Sequence, residues 1–150
     1  MYTHKQASAL RQSFWTAFGR YMAPVPGADG EKINWINYKT GVRHIYFRME
    51  ADSRHAIIAI EITHPEPDNR NEVFEQFRQL ETLLQEELGE AWTWKPSAMD
   101  EHGREMALVS HEKQGVNIFA QDQWPDIISF LKPRIMALDR FWSVVKPMFE

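Results

Sequence analysis

The chain is expected to form an α+β domain in which an antiparallel sheet of about five or six strands packs against three helices. Three observations predict this. Apolar residues alternate on both sides of a polar turn between Asn34 and His64, and segments near both ends repeat apolar residues every three or four positions. Most successive strands are joined by stretches too short for parallel crossovers, which need a dozen or more residues.

From Thr3 to about Met22, residues Leu10, Phe14, Ala17, Phe18 and Tyr21 line one side of an opening helix, which Pro24, Pro26 and Gly27 stop. Ala23 to Lys32 reads as a loop, Ile33 to Tyr38 as a short strand, and Lys39-Thr40-Gly41 as the turn into a hairpin. In the hairpin, Ile45, Phe47, Met49 and Ala51 share one face with Ala56, Ile58, Ile60 and Ile62. The register expected first sets Met49 opposite Ala56, Phe47 opposite Ile58 and Ile45 opposite Ile60, with Asp52 and Ser53 as a two-residue loop. A shift by two residues keeps the faces and exchanges the partners. In either register the opposite face carries His44, Tyr46, Arg48 and Glu50 beside His55, Ile57, Ala59 and Glu61.

Pro65 and Pro67 end the hairpin, and Asp68 or Asn69 caps a second helix with the stripe Val73, Phe77, Leu80, Leu84 and Leu88, closed by Gly89. Its outward residues Glu72, Glu75, Arg78, Glu81 and Glu86 read as a solvated face. Ala91 to Lys95, Arg104 to His111 and Val116 to Phe119 form a meander turning at Asp100–Gly103 and Gln114-Gly115. A last helix starts near Asp122, takes Pro125 in its first turn and carries Ile128, Leu131, Ile135, Leu138, Trp142 and Val145; Pro133 is expected to kink or split it.

At 150 residues the chain is sized for one core and hence one domain. It has no cysteine, which excludes disulfides, thiolate catalysis and thiolate zinc sites. No apolar run approaches the ~20 residues of a membrane span, and MYTHKQASAL lacks the basic start and apolar centre of a signal peptide. A cytoplasmic location is the simplest expectation. A net charge of −4 argues against a surface that is basic all over.

Four segments carry a family resemblance: FWTAFGRYM at Phe14–Met22, KINWINYKTGVRHIYFRM at Lys32–Met49, AIIAIEITH at Ala56–His64 and WPDIISFLKPRIMALDRFW at Trp124–Trp142. Together they resemble the short, stand-alone members of the bacterial domain-of-unknown-function family numbered 4268. Longer members look like fusions to a nuclease-like domain, so the resemblance implies a link to DNA-related or defence-related systems and no defined catalytic set.

Two kinds of site are weighed on the residues themselves. A divalent-metal nuclease needs two carboxylates and a lysine; Glu50 or Asp52 with Glu61 supply the acids, but Glu61-Ile62-Thr63 lacks the lysine that usually follows. The six histidines form no three-ligand pattern, so no metal site and no cofactor is assigned. The mixed aromatic and cationic face of His44, Tyr46 and Arg48, extended by Trp35 and Tyr38, suits recognition of a protein or nucleic-acid partner. The competing reading has the long C-terminal helix cover that face. A non-catalytic recognition module is the leading expectation; an atypical nuclease and a homodimerising subunit are the alternatives.

Overall fold

Thr3 opens the first helix with a capping box: its hydroxyl accepts the Gln6 N–H, and the Gln6 side chain accepts the Thr3 N–H. The computed structural model describes residues 2–150, and its elements run α1 (His4–Met22), β1 (Ile45–Ala51), β2 (His55–Ile62), α2 (Pro67–Gln79), α3 (Glu81–Leu88), β3 (Thr93–Met99), β4 (Glu105–Gln114) and α4 (Trp124–Val145). The sheet has four strands in the order β1-β2-β4-β3, every pair antiparallel. The architecture is therefore α+β as expected, with four strands rather than five or six and four α-helices rather than three.

The two missing strands were lost to side chains that capture backbone groups. In the 33–38 segment the Asn34 carboxamide accepts the Asn37 N–H and curls the chain, while the Trp35 indole donates to Val25 C=O. In the 116–119 segment the Asn117 side chain takes the Phe119 N–H, and Gln123 takes the Asn117 N–H. The extra helix comes from a break at Leu80, whose backbone (φ −99, ψ 11) leaves helical geometry and divides the predicted second helix into α2 and α3. Gly89, at φ 72, closes α3 in the left-handed conformation that favours glycine. Pro133 does not split α4. Ser129, whose carbonyl loses its donor, lies on the exposed side of the helix, where water can replace the missing bond.

The hairpin adopts the shifted register: Ile45 faces Ile62, Phe47 faces Ile60 and Met49 faces Ile58. Asp52 decides it. Its carboxylate accepts the Arg54 and His55 N–H groups and its own N–H donates to His55 C=O, which makes Ser53 and Arg54 the loop. Burial raises the Asp52 pKa, but these two N–H bonds and the nearby His55 and Arg54 outweigh it and hold the carboxyl below its ordinary value.

Helices α4 and α2 lie against the face that carries Ile45, Phe47, Ala56, Ile58, Ile60, Ile62, Ala107 and Val109, and α1 and α3 pack on α4. Phe77 of α2 stacks on Trp142 and Phe141 of α4 and on Phe149, closing one end of the core. At the other end Glu90 accepts two bonds from Arg134, both 2.8 Å, and one from the Trp92 indole. Burial pushes the Glu90 carboxyl up, but Arg134, Trp92 and His111 more than compensate and hold it below its ordinary value. A depressed folded pKa stabilises above the unfolded value and loses that contribution as pH falls through the folded one. Glu90→Gln is thus expected to cost about 2 kcal/mol at pH 7, with the gap to wild type narrowing in urea titrations repeated near pH 3.

Candidate functional site

The face of the sheet away from the helices is bare. Even-numbered β1 side chains and odd-numbered β2 side chains point there, so Tyr46 stands opposite Glu61, Arg48 opposite Ala59 and Glu50 opposite Ile57. Ala59 in turn faces Ser110 of β4, and these two small residues leave the middle of the face low between longer neighbours. Tyr46 is 37% exposed and the Arg48 side chain 51%, which decides against cover by α4.

Towards the start of β1 the face deepens into a cleft of about 590 Å³ lined by His44, Tyr46, Arg48, Glu61, Thr63, Pro65, Arg70, Asp100, Arg104, Glu105 and Met106. Three arginines meet three carboxylates in it. The Arg48 guanidinium lies 4.5 Å from the Tyr46 ring centre, with Nε 3.6 Å from Glu61 Oε1. Arg104 Nε reaches Asp100 at 3.2 Å across the β3–β4 turn. Arg70, only 3% exposed, donates from Nη1 to His64 C=O and sits 3.2 Å from Glu105 through Nη2, while its Nε has no partner among the described residues.

Two groups here are tuned by burial. It raises the Glu61 carboxyl above its ordinary pKa against the attraction of Arg48, and it lowers the His64 imidazole, helped by the nearby His44 and Arg70. A raised carboxyl favours the fold below its unfolded pKa and loses that advantage as pH rises through the folded one. Glu61→Gln should therefore melt at the same temperature as wild type or higher at pH 7, with the difference disappearing below pH 4; a lower melting temperature at pH 7 would contradict this electrostatic picture.

His44 is the one non-glycine residue with positive φ (68°) among those described. Its carbonyl accepts the Thr63 N–H at 2.9 Å, which ties the entrance of β1 to the exit of β2. Backbone strain of about 1–3 kcal/mol held at a cleft is a mark of functional sites. His44→Gly is expected to leave thermal stability unchanged or raised, because glycine adopts this conformation freely.

The structure brings together His44, Tyr46 and Arg48 from the expected recognition face, leaves out Trp35, and sets Tyr38 on a second hollow that Tyr46 and Arg48 also line. Trp35 is 3% exposed in the core, and Tyr38 stacks on Phe47 on the helix side of β1 and donates its hydroxyl to Asp139. The three candidate nuclease acids stay apart: Glu50 lies four residues from Tyr46, the partner of Glu61, roughly 14 Å at ~3.4 Å per residue, and Asp52 is committed to the hairpin turn. Among the described residues no three His, Asp or Glu side chains are placed to hold a metal ion. Sequence reasoning missed Arg70, Asp100, Arg104 and Glu105. Arg70 had a signal, since positions 70, 74 and 77 share one helix face and its companions Phe74 and Phe77 are core residues.

These features define a small α+β domain with a helix-backed antiparallel sheet and a charge-lined cleft on its bare face. Residues 10–146 match the family described as Domain of unknown function (DUF4268), and the chain belongs to that family. No curated protein and no solved structure matches it. Among the described residues no helix is long and apolar enough to cross a membrane.

Proposed function

We propose that this domain is a non-catalytic recognition module that takes a partner protein on the helix-free face of its sheet, centred on the cleft of His44, Tyr46 and Arg48. The observation that carries this reading is the equal number of arginines and carboxylates around an exposed tyrosine in the cleft. A polypeptide presents side chains of both signs and satisfies such a site. A phosphate backbone requires an excess of cations, which neither the cleft nor the net charge of −4 supplies. The resemblance to domains fused with nuclease-like partners supports a partner from a nuclease or defence system, met in the cytoplasm.

A photo-crosslinking residue at position 46, incorporated in cells, tests the reading. It should trap a discrete protein, and Tyr46→Ala and Arg48→Ala should each weaken that purified pair at least about tenfold with melting temperature unchanged. Partner affinity unaffected by both changes would overturn the proposal. Oligonucleotide binding that falls steeply with salt would assign the face to nucleic acid instead.

A further inference from the structure

We infer that the outer edge of β1 is a self-association site, through which two copies of this chain join their sheets into one of eight strands. The two edges of the sheet differ. β3 is blunted by Pro96 and by a register shift between Lys95 and Ala98, two devices that prevent strand addition. β1 has seven residues in regular pairing, with no proline, glycine or bulge. A hollow of about 380 Å³ runs beside it, bordered by Trp15, Ile36 and Tyr38.

Hydrogen-bond alternation identifies which groups are free. Thr63 N–H bonds His44 C=O and Asp52 N–H bonds His55 C=O, so the even-numbered residues of β1 pair with β2 and the odd-numbered ones point outward. Of these, Ile45 is already used, its N–H by Val42 and its C=O by the Thr40 hydroxyl. Phe47, Met49 and Ala51 remain, with no backbone partner on that edge among the described residues.

A two-fold axis perpendicular to the sheet pairs β1 with its copy antiparallel, and the position of the axis sets the register. With Phe47 on the axis, Met49 would need the occupied groups of Ile45. With Arg48 or Glu50 on it, like charges stand face to face. With Met49 on the axis, Phe47 pairs with Ala51 of the second copy and the reverse, which uses all three free residues and no others. Arg48 then stands opposite Glu50 of the second copy, twice, on the bare face. Glu50 is exposed and makes no ion pair within its own chain among the described residues. The small Ala51 opposite Phe47 leaves room for Tyr38, whose ring stacks on Phe47. Both bare faces end on the same side of the assembly. This inference does not depend on what the cleft binds.

Light scattering with size exclusion, run on the full chain from micromolar to hundreds of micromolar, tests it. A mass of twice 17.7 kDa is expected at the upper end. Glu50→Arg should weaken the dimer about tenfold or more, and the double exchange Arg48→Glu with Glu50→Arg should restore it. Met49→Cys should form a disulfide across the axis on mild oxidation, since hydrogen-bonded pairs sit about 5.5 Å apart at Cα, within disulfide reach. A chain that stays monomeric throughout, or a dimer indifferent to Glu50→Arg, would overturn the inference; Glu50 is exposed and its replacement removes no contact of the core, so misfolding does not confuse that result.

Discussion

Phe77→Ala is expected to destabilise the domain by about 3–5 kcal/mol, the range for deleting a fully buried aromatic ring. Phe77 is 0% exposed, and its ring centre lies 4.4 Å from Phe149, 6.2 Å from Trp142 and 6.5 Å from Phe141. These rings belong to α4 and the segment after it, so Phe77 is where α2 is fastened to the rest of the core. Truncation removes its transfer energy and leaves a cavity that three rigid rings cannot collapse to fill. Urea denaturation monitored by tryptophan fluorescence provides the measurement. Phe77→Leu should recover much of the loss, and a cost under about 1 kcal/mol for the alanine change would show that the ring cluster is not packed as described.

Asp139→Ala should cost about 3 kcal/mol for a different reason. Asp139 is 4% exposed on α4 and accepts the Ala28 N–H at 2.7 Å and the Tyr38 hydroxyl. Burial, and then the bond to Asp139, push the Tyr38 phenol well above its ordinary pKa, so it remains a donor. Removing the carboxylate leaves the half-buried Tyr38 hydroxyl and the Ala28 N–H without their acceptor. It also releases the 23–38 part of the long 23–44 connection from two of its bonds to α4, while the Trp142 indole still holds Thr40 C=O. Tyr38→Phe should cost only about 1 kcal/mol, and the double variant should lose less than the sum of the two singles. Limited proteolysis supplies an independent readout: cleavage near Ala28–Gly30 should accelerate in Asp139→Ala and not in Tyr38→Phe. Additive losses would mean that the two side chains do not act together.

Much of this architecture was legible in the residues because it rests on local periodicity. The alternation from Ile45 to Ile62 identified both strands and the side of each that is buried, and the helical stripes located α1 and α4 to within a few residues. What went wrong had a local chemical cause of another kind. Segments 33–38 and 116–119 have strand-like composition, yet Asn34, Asn117 and Gln123 divert their backbone groups into turns. The break at Leu80 left no glycine or proline to betray it. At the cleft, His44, Tyr46, Arg48 and Glu61 follow from strand alternation alone, whereas Arg70, Arg104 and Glu105 arrive from segments distant in sequence.

By itself the sequence determined the class of elements, the sides they bury and the absence of thiol chemistry, since period and composition are properties of neighbouring residues. Only the tertiary structure decided the hairpin partners, the bareness of the far face and the meeting of three arginines with three carboxylates. Alternation is unchanged by a shift of two residues, so the register waited on how the Asp52 carboxylate folds onto its own turn. Likewise, alternation marks the face a helix must cover but does not state whether the mixed face opposite is covered too. That follows from where the greater apolar area can be removed from water, a sum taken over the whole chain.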